Sequence, residues 1–189
     1  MRALLRFTAV AALALCTAGA AAAAEVGGVK LDDKVSLAGQ ELLLNGAGVR
    51  TRVVFKVYVA SLYLPQPAKD LSAVLEKGPR RIQMNMLRTL AADQLVDALT
   101  EGLAENNTPA ELAVVKPQVD QLASIMKAFK EVKEKDIVAL DFIDGGTRVS
   151  LNGEAKGTIP GEPFNQALTR IWLGDKPVQA DLKKALLGG

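Results

Sequence analysis

Residues 53–64, Val-Val-Phe-Lys-Val-Tyr-Val-Ala-Ser-Leu-Tyr-Leu, constrain the fold of this chain more than any other stretch. They are rich in β-branched and aromatic side chains and are stopped by Pro65 and Pro67, which reads as a strand. The odd positions are Val53, Phe55, Val57, Val59, Ser61 and Tyr63, and the even ones Val54, Lys56, Tyr58, Ala60, Leu62 and Leu64. Side chains alternate between the faces of a strand, so both faces are mainly apolar. The segment is expected to be covered on both sides.

The remaining periodicity supplies the covering elements. Short strand patterns occupy residues 29–31, 35–37 and 41–44, and residues 81–87 alternate as a half-buried strand. A short helix fits residues 71–76, and Thr89 can cap a helix over residues 91–105. Thr108-Pro109-Ala110-Glu111 is a second helix start, with a capping threonine, proline at the first helical position and a glutamate that reaches back. Pro117 is expected to kink or divide that helix before residues 119–129. Residues 137–142, 147–151 and 155–159, joined at Gly145-Gly146 and Asn152-Gly153, predict a three-strand meander. Residues 163–173 form a helix closed by Gly174, and Pro177 opens a last one. Strands in two blocks and helices in two blocks give an α+β class.

Residues 1–24 stand outside this pattern. Arg2 and Arg6, an apolar run over residues 7–15 and the small residues Ala22, Ala23 and Ala24 have the layout of an export signal cleaved after Ala24. The expected product is a periplasmic or secreted protein of residues 25–189, a single domain. Acylation at Cys16 is the competing reading, but Leu15 stands where a small residue is wanted. Without Arg2 and Arg6 the basic residues number 21, equal to the 21 acidic ones. A neutral chain lacks the electrostatic footprint of a nucleic-acid binder.

Absences exclude most catalytic chemistry. The chain has no histidine, and its only cysteine is Cys16. Ser-His, Cys-His and histidine-ligated metal mechanisms are ruled out. No cofactor, metal or disulfide is expected.

The glycines of "NGAGVR", residues 45–50, lead into a strand pattern and lack the Lys-Ser/Thr pair of a phosphate loop, so Gly46 and Gly48 are read as turn residues that aim Arg50. Asp141, Asp144 and Glu154 are read as structural rather than as an acid-base pair, Trp172 as a core residue, and Lys56 as a rim charge. Arg50 and Tyr58 are the candidate ligand-binding residues. A cation and a phenol beside apolar surface each need a partner. Two kinds fit: an internal carboxylate such as Glu41 or Asp141, or the carboxylate or enolate oxygen of a ligand. Eight residues along one straight strand separate Cα atoms by about 26 Å, so a common ligand requires the chain to turn, with residues 51–52 the expected place.

At these residues the sequence resembles the chalcone-isomerase-like family. "NGAGVR" resembles the family's Gly-x-Gly-Val-Arg motif, "FKVYVASLYLP" the strand after it, and "FNQALTRIWLG" with a terminal helix its closing element. With the strand and helix of residues 81–103, the likeness covers nearly all of the chain after Ala24, in order. It implies a long antiparallel β-sheet with a layer of α-helices packed on one face and a cleft between them. It also implies one of three roles: ring closure of chalcones, binding of fatty acids, or non-catalytic help to other proteins. The family arginine falls on Arg50. The threonine of true isomerases falls on Tyr58, and tyrosine there resembles the fatty-acid-binding branch. The isomerases' helix tyrosine and asparagine fall near Asp93 and Thr100, and a further threonine near Ile171. With most of those donors lost, the resemblance implies a monomeric, non-catalytic binder of a hydrophobic small molecule, a long-chain fatty acid foremost. An intramolecular lyase and a pocketless structural or partner-binding protein are the alternatives.

Export predicts a specific N-terminus. Intact-mass analysis of the exported fraction is expected to find a chain beginning at Glu25; a lipid-modified chain beginning at Cys16 would replace soluble export by membrane anchoring.

Overall fold

The computed structural model describes residues 24–76 and 78–189. The proposed signal segment, Cys16 included, lies outside the described residues except for Ala24. That residue opens β1 (Ala24–Val26), which pairs with β2 (Val29–Leu31).

Seven strands form one antiparallel sheet: β3 (Lys34–Leu37), β4 (Gln40–Arg52), β5 (Phe55–Leu64), β6 (Arg80–Met86), β9 (Ile137–Ile143), β10 (Gly146–Leu151) and β11 (Glu154–Pro160). Their order across the sheet is β11-β10-β9-β6-β5-β4-β3. The short strands β7 (Leu90–Ala91) and β8 (Glu131–Val132) pair separately. Helices α2 (Ala92–Asn106), α3 (Pro109–Ala128), α4 (Glu162–Leu173) and α5 (Ala180–Leu186) cover one face, and α1 (Leu71–Val74) is a single turn. The fold is α+β, a curled antiparallel sheet with helices packed on it, as the sequence predicts.

The two-faced strand lies inside the sheet between β4 and β6. Ala60, Leu62 and Leu64 enter the main core with Ile82, Leu140, Phe164, Leu168 and Leu182. On the other face Tyr63 packs with Leu37 and Leu42. Val59, fully buried, lies under the β1–β2 hairpin: a Cβ built on Gly27 would sit 3.2 Å from its Cγ2. That face also holds Asp141, whose side chain is 2% exposed and binds Arg81 (Nε to Oδ1, 2.6 Å) and Arg148 (Nη2 to Oδ2, 3.0 Å). Glu41 pairs with Lys34 at the exposed edge (2.8 Å).

Four sequence expectations need correction. β4 runs unbroken through Asn45, Gly46 and Gly48, so the two glycines are not turn residues. They are bare because α5 lies on them: a Cβ on Gly46 would meet the backbone of Ala185 and come 2.7 Å from the Leu186 carbonyl oxygen. On Gly48 it would be 3.0 Å from both Ala185 Cβ and Leu182 Cδ1. Asn45, at the shift of register between Leu44 and Gly46, fastens the contact. Its amide donates to the carbonyls of Leu186 (2.7 Å) and Ala68 (3.0 Å) and its oxygen accepts from Ala68 N–H (2.8 Å). Second, the turn between β4 and β5 is Val53-Val54, not residues 51–52, and both valines leave the strand. Third, α3 crosses Pro117 without division. Pro117 and Ala113, whose carbonyl loses its partner, are both exposed, so that carbonyl is open to solvent rather than stranded in the core. The last helix also begins at Ala180 rather than at Pro177.

A methyl group at Gly46 has no room against backbone. Gly46→Ala is expected to cost about 1–3 kcal/mol and to lower the melting temperature by several degrees, measured by thermal unfolding of the variant against the parent chain.

Candidate functional site

A cleft of about 640 Å³ lies between the inner face of the sheet and the helical layer. Its floor is built from alternate residues of adjacent strands, Tyr58, Met84, Met86, Val138, Leu140 and Val149, aligned by the register Tyr58↔Met86, Met84↔Val138 and Leu140↔Val149. Its roof is Leu95, Leu99 and Gly102 of α2, Leu122 and Met126 of α3 with Phe129 just beyond it, and Leu168, Ile171 and Trp172 of α4. A Cβ at Gly102 would lie 2.8 Å from Ile171 Cγ2, so the glycine sets how closely α2 and α4 approach. Exposed Arg52, Val53, Phe55 and Arg88 line the mouth.

The tight turn at Val53-Val54 folds β4 back on β5 so that Arg50 stands directly opposite Tyr58. Eight residues apart in sequence, they are cross-strand neighbours, and both line the cleft. The pairing shifts immediately after Arg50, and the irregular backbone is held by Gln179, the residue before α5. Gln179 Oε1 accepts from Thr51 N–H (2.8 Å) and its amide donates to the Val49 carbonyl (3.2 Å). Arg50 Nη1 donates to the Thr51 carbonyl and to Gln179 Oε1 (3.4 Å). Neither carboxylate weighed as its partner reaches it, since Glu41 is taken by Lys34 and Asp141 by two other arginines. Among the described residues Arg50 has no ion-pair partner; apart from the Thr51 carbonyl and Gln179, the group its guanidinium acts on is the Tyr58 hydroxyl.

Tyr58 is held from the opposite wall. Trp172 Nε1 donates to its hydroxyl oxygen (3.1 Å), and the phenol's own proton goes to no described residue. Burial pushes this phenol above its ordinary 10.0, against the pull of the Trp172 bond and of the charge and hydrogen bonding of Arg50. The result is a neutral O–H donor beside a guanidinium fork. Such a pair can hold a carboxylate or an enolate oxygen, beside a floor and roof that are mainly hydrocarbon.

The positions that the isomerase pattern would fill with polar groups do not add to this pair. Asp93 and Thr100 are exposed and do not line the cleft, and Thr100 spends its hydroxyl on the Val96 carbonyl (2.9 Å). Ile171 lines the cleft as hydrocarbon. Two participants escaped the sequence reading. Trp172 is core-packed as expected, but a buried indole N–H needs an acceptor, and that need was the available signal. Gln179 is 129 residues from Arg50 and carries no motif, so nothing in its spacing points to the strand it holds.

Residues 23–188 match the model of the family described as chalcone isomerase-like. The fold matches the crystal structure of a fatty-acid binding protein of Arabidopsis thaliana, with a TM-score of 0.63 and 12% sequence identity over 85% of this chain and 92% of that one. No curated protein matches the sequence.

The chain has only two tyrosines, Tyr58 and Tyr63, and burial raises both above 10.0. A raised folded value means that the fold prefers the neutral phenol. The stability this gives is complete below the unfolded value and disappears as pH climbs through the folded one. Tyrosinate absorbance of the native protein is therefore expected to appear only above pH 10.0, against a midpoint near 10 in denaturant. Tyr58→Phe should remove one of the two transitions.

Proposed function

This chain belongs to the chalcone isomerase-like family, and we propose that it is an exported, non-catalytic protein that binds a long-chain fatty acid or a similar carboxylate in the cleft. The observation that carries the reading is Arg50: an arginine at a mainly apolar cleft, beside a neutral phenol, with no carboxylate partner among the described residues. A carboxylate supplies what it lacks, two oxygens for a fork of donors, and Tyr58 O–H supplies a further donor. The volume of about 640 Å³ suits one small molecule. Each methylene that leaves water for the wall of leucine, methionine and phenylalanine contributes about 0.8 kcal/mol. Ten of them bring on the order of 8 kcal/mol before the cost of ordering the chain, enough for binding without a reaction.

Ring closure of a phenolate onto an enone asks for more. It needs two reacting groups held in line and several donors on the developing enolate. Here Arg50 and Tyr58 are the paired donors, the floor and roof are mainly hydrocarbon, and the other charged groups of the cleft include the carboxylates Glu101 and Glu105, which do not favour a developing enolate. The fatty-acid binding of the Arabidopsis protein with this fold supports the same reading of the ligand.

Binding of hexadecanoate and hexadecanol to delipidated protein, followed by calorimetry, tests this. The acid is expected to bind more tightly than the alcohol, and Arg50→Ala to weaken the acid by about 10–100-fold while leaving the alcohol little changed. Equal affinity for acid and alcohol in the parent chain would remove the role given to Arg50. Arg50-dependent loss of naringenin chalcone absorbance above the spontaneous rate would turn the reading to an isomerase.

A further inference from the structure

The β4–β5 turn gathers three of the four exposed large apolar side chains among the described residues: Val53 is 89% exposed, Val54 77% and Phe55 57%, while Val114 of α3 stands apart at 67%. A two-residue hairpin loop whose first position has positive φ normally places glycine there. Val53 occupies it at φ +58, a backbone region that β-branched residues avoid. Valine there gives the fold strain and returns no packing, because nothing covers the side chain.

Cations surround this tip. Arg52 precedes it and Lys56 follows it, both exposed. Arg88, two residues past the neighbouring β6, lays its guanidinium 4.7 Å from the centre of the Phe55 ring. Glu101 and Glu105, the acidic residues at the cleft, are on α2, and Glu105 is paired with Lys176 (3.4 Å). Apolar side chains at a protruding point, ringed by arginine and lysine and joined to an aromatic–guanidinium stack, match the layered chemistry of a bilayer interface. Acyl chains take the valines, and anionic headgroups take the cations. A protein partner fits less well. A specific interface buries about 800 Å² on each side, and three side chains supply a few hundred at most.

We propose that the Val53-Val54-Phe55 tip docks on the surface of an anionic lipid bilayer and brings the mouth of the cleft against it. Arg52, Val53, Phe55 and Arg88 line the cleft as well as the tip, so docking would open the site towards lipid rather than towards water. The docking stands apart from the ligand assigned above. No helix among the described residues is long and apolar enough to cross a membrane, so attachment through this tip is peripheral.

The test is co-sedimentation with vesicles of phosphatidylglycerol and phosphatidylethanolamine, and with vesicles of phosphatidylcholine alone. It is run on the full chain and on residues 24–189, which hold every described element, so that residues 1–23 are accounted for. Val54 and Lys56 do not line the cleft and are the positions to change. Val54→Asp is expected to lower the partition onto anionic vesicles at least tenfold. Lys56→Glu should lower it at least fivefold, the loss being larger at low salt. Both variants should keep the parent's melting temperature and its affinity for hexadecanoate in solution. The proposal is overturned if residues 24–189 ignore anionic vesicles, if both variants bind them as the parent does, or if phosphatidylcholine vesicles bind equally well. Loss of hexadecanoate affinity in the parent chain would strike the ligand assignment and leave the docking to be judged on the vesicles.

Discussion

The contact of α5 with β4 governs how the rest of the cleft is arranged. It exists because two strand positions, Gly46 and Gly48, present no side chain, so a helix can lie directly on the backbone. Asn45 then pins the end of that helix to the strand and to the segment after β5 through three hydrogen bonds. The start of the helix is fixed in turn by Gln179, which satisfies the backbone on both sides of Arg50 and touches the guanidinium itself. The helix thus holds an irregular piece of sheet at the point where the polar end of the cleft is built.

Charge is distributed unequally across the sheet. On the outer face one buried carboxylate, Asp141, serves two arginines, and the cluster is internally satisfied. On the inner face Arg50 has no carboxylate and a phenol for a neighbour. Both arrangements put guanidinium groups beside apolar surface, yet only the second leaves the positive charge without a counter-charge. An arginine is costly to desolvate without a counter-charge, and the cleft's exposure to solvent near its mouth is what keeps that cost tolerable when the site is empty.

Much of this was legible in the sequence, for reasons that differ by element. The two-sided strand and the three-strand meander follow from period-two alternation and from turn residues such as Asn152-Gly153, whose positive φ values are 53° and 82°. Arg50 and Tyr58 stood out as polar groups in an apolar run, and their meeting needed only a turn between them. The turn itself was invisible: Val53 and Val54 look like strand residues, and their position in a strained loop reflects no local preference. Gly46 and Gly48 were misread because a glycine pair has two uses, turning the chain or admitting a neighbour. Only the helix that arrives 130 residues later distinguishes them. Pro117 does not divide α3, since the bond it removes falls on an exposed side of the helix. Trp172 and Gln179 act through long-range contacts, which sequence periodicity does not encode.

The cleft floor and roof include Met84, Met86 and Met126. Unbranched thioethers rearrange at little cost, so the cavity can follow kinks and double bonds in what it holds rather than select one shape. The same atoms make it chemically vulnerable. Oxygen added to sulfur turns a soft apolar surface into a polar, chiral sulfoxide, and here it would do so on both the floor and the roof of the cleft. The state of the cleft is therefore tied to the oxidants around the protein, with sulfur chemistry deciding whether the cavity stays greasy.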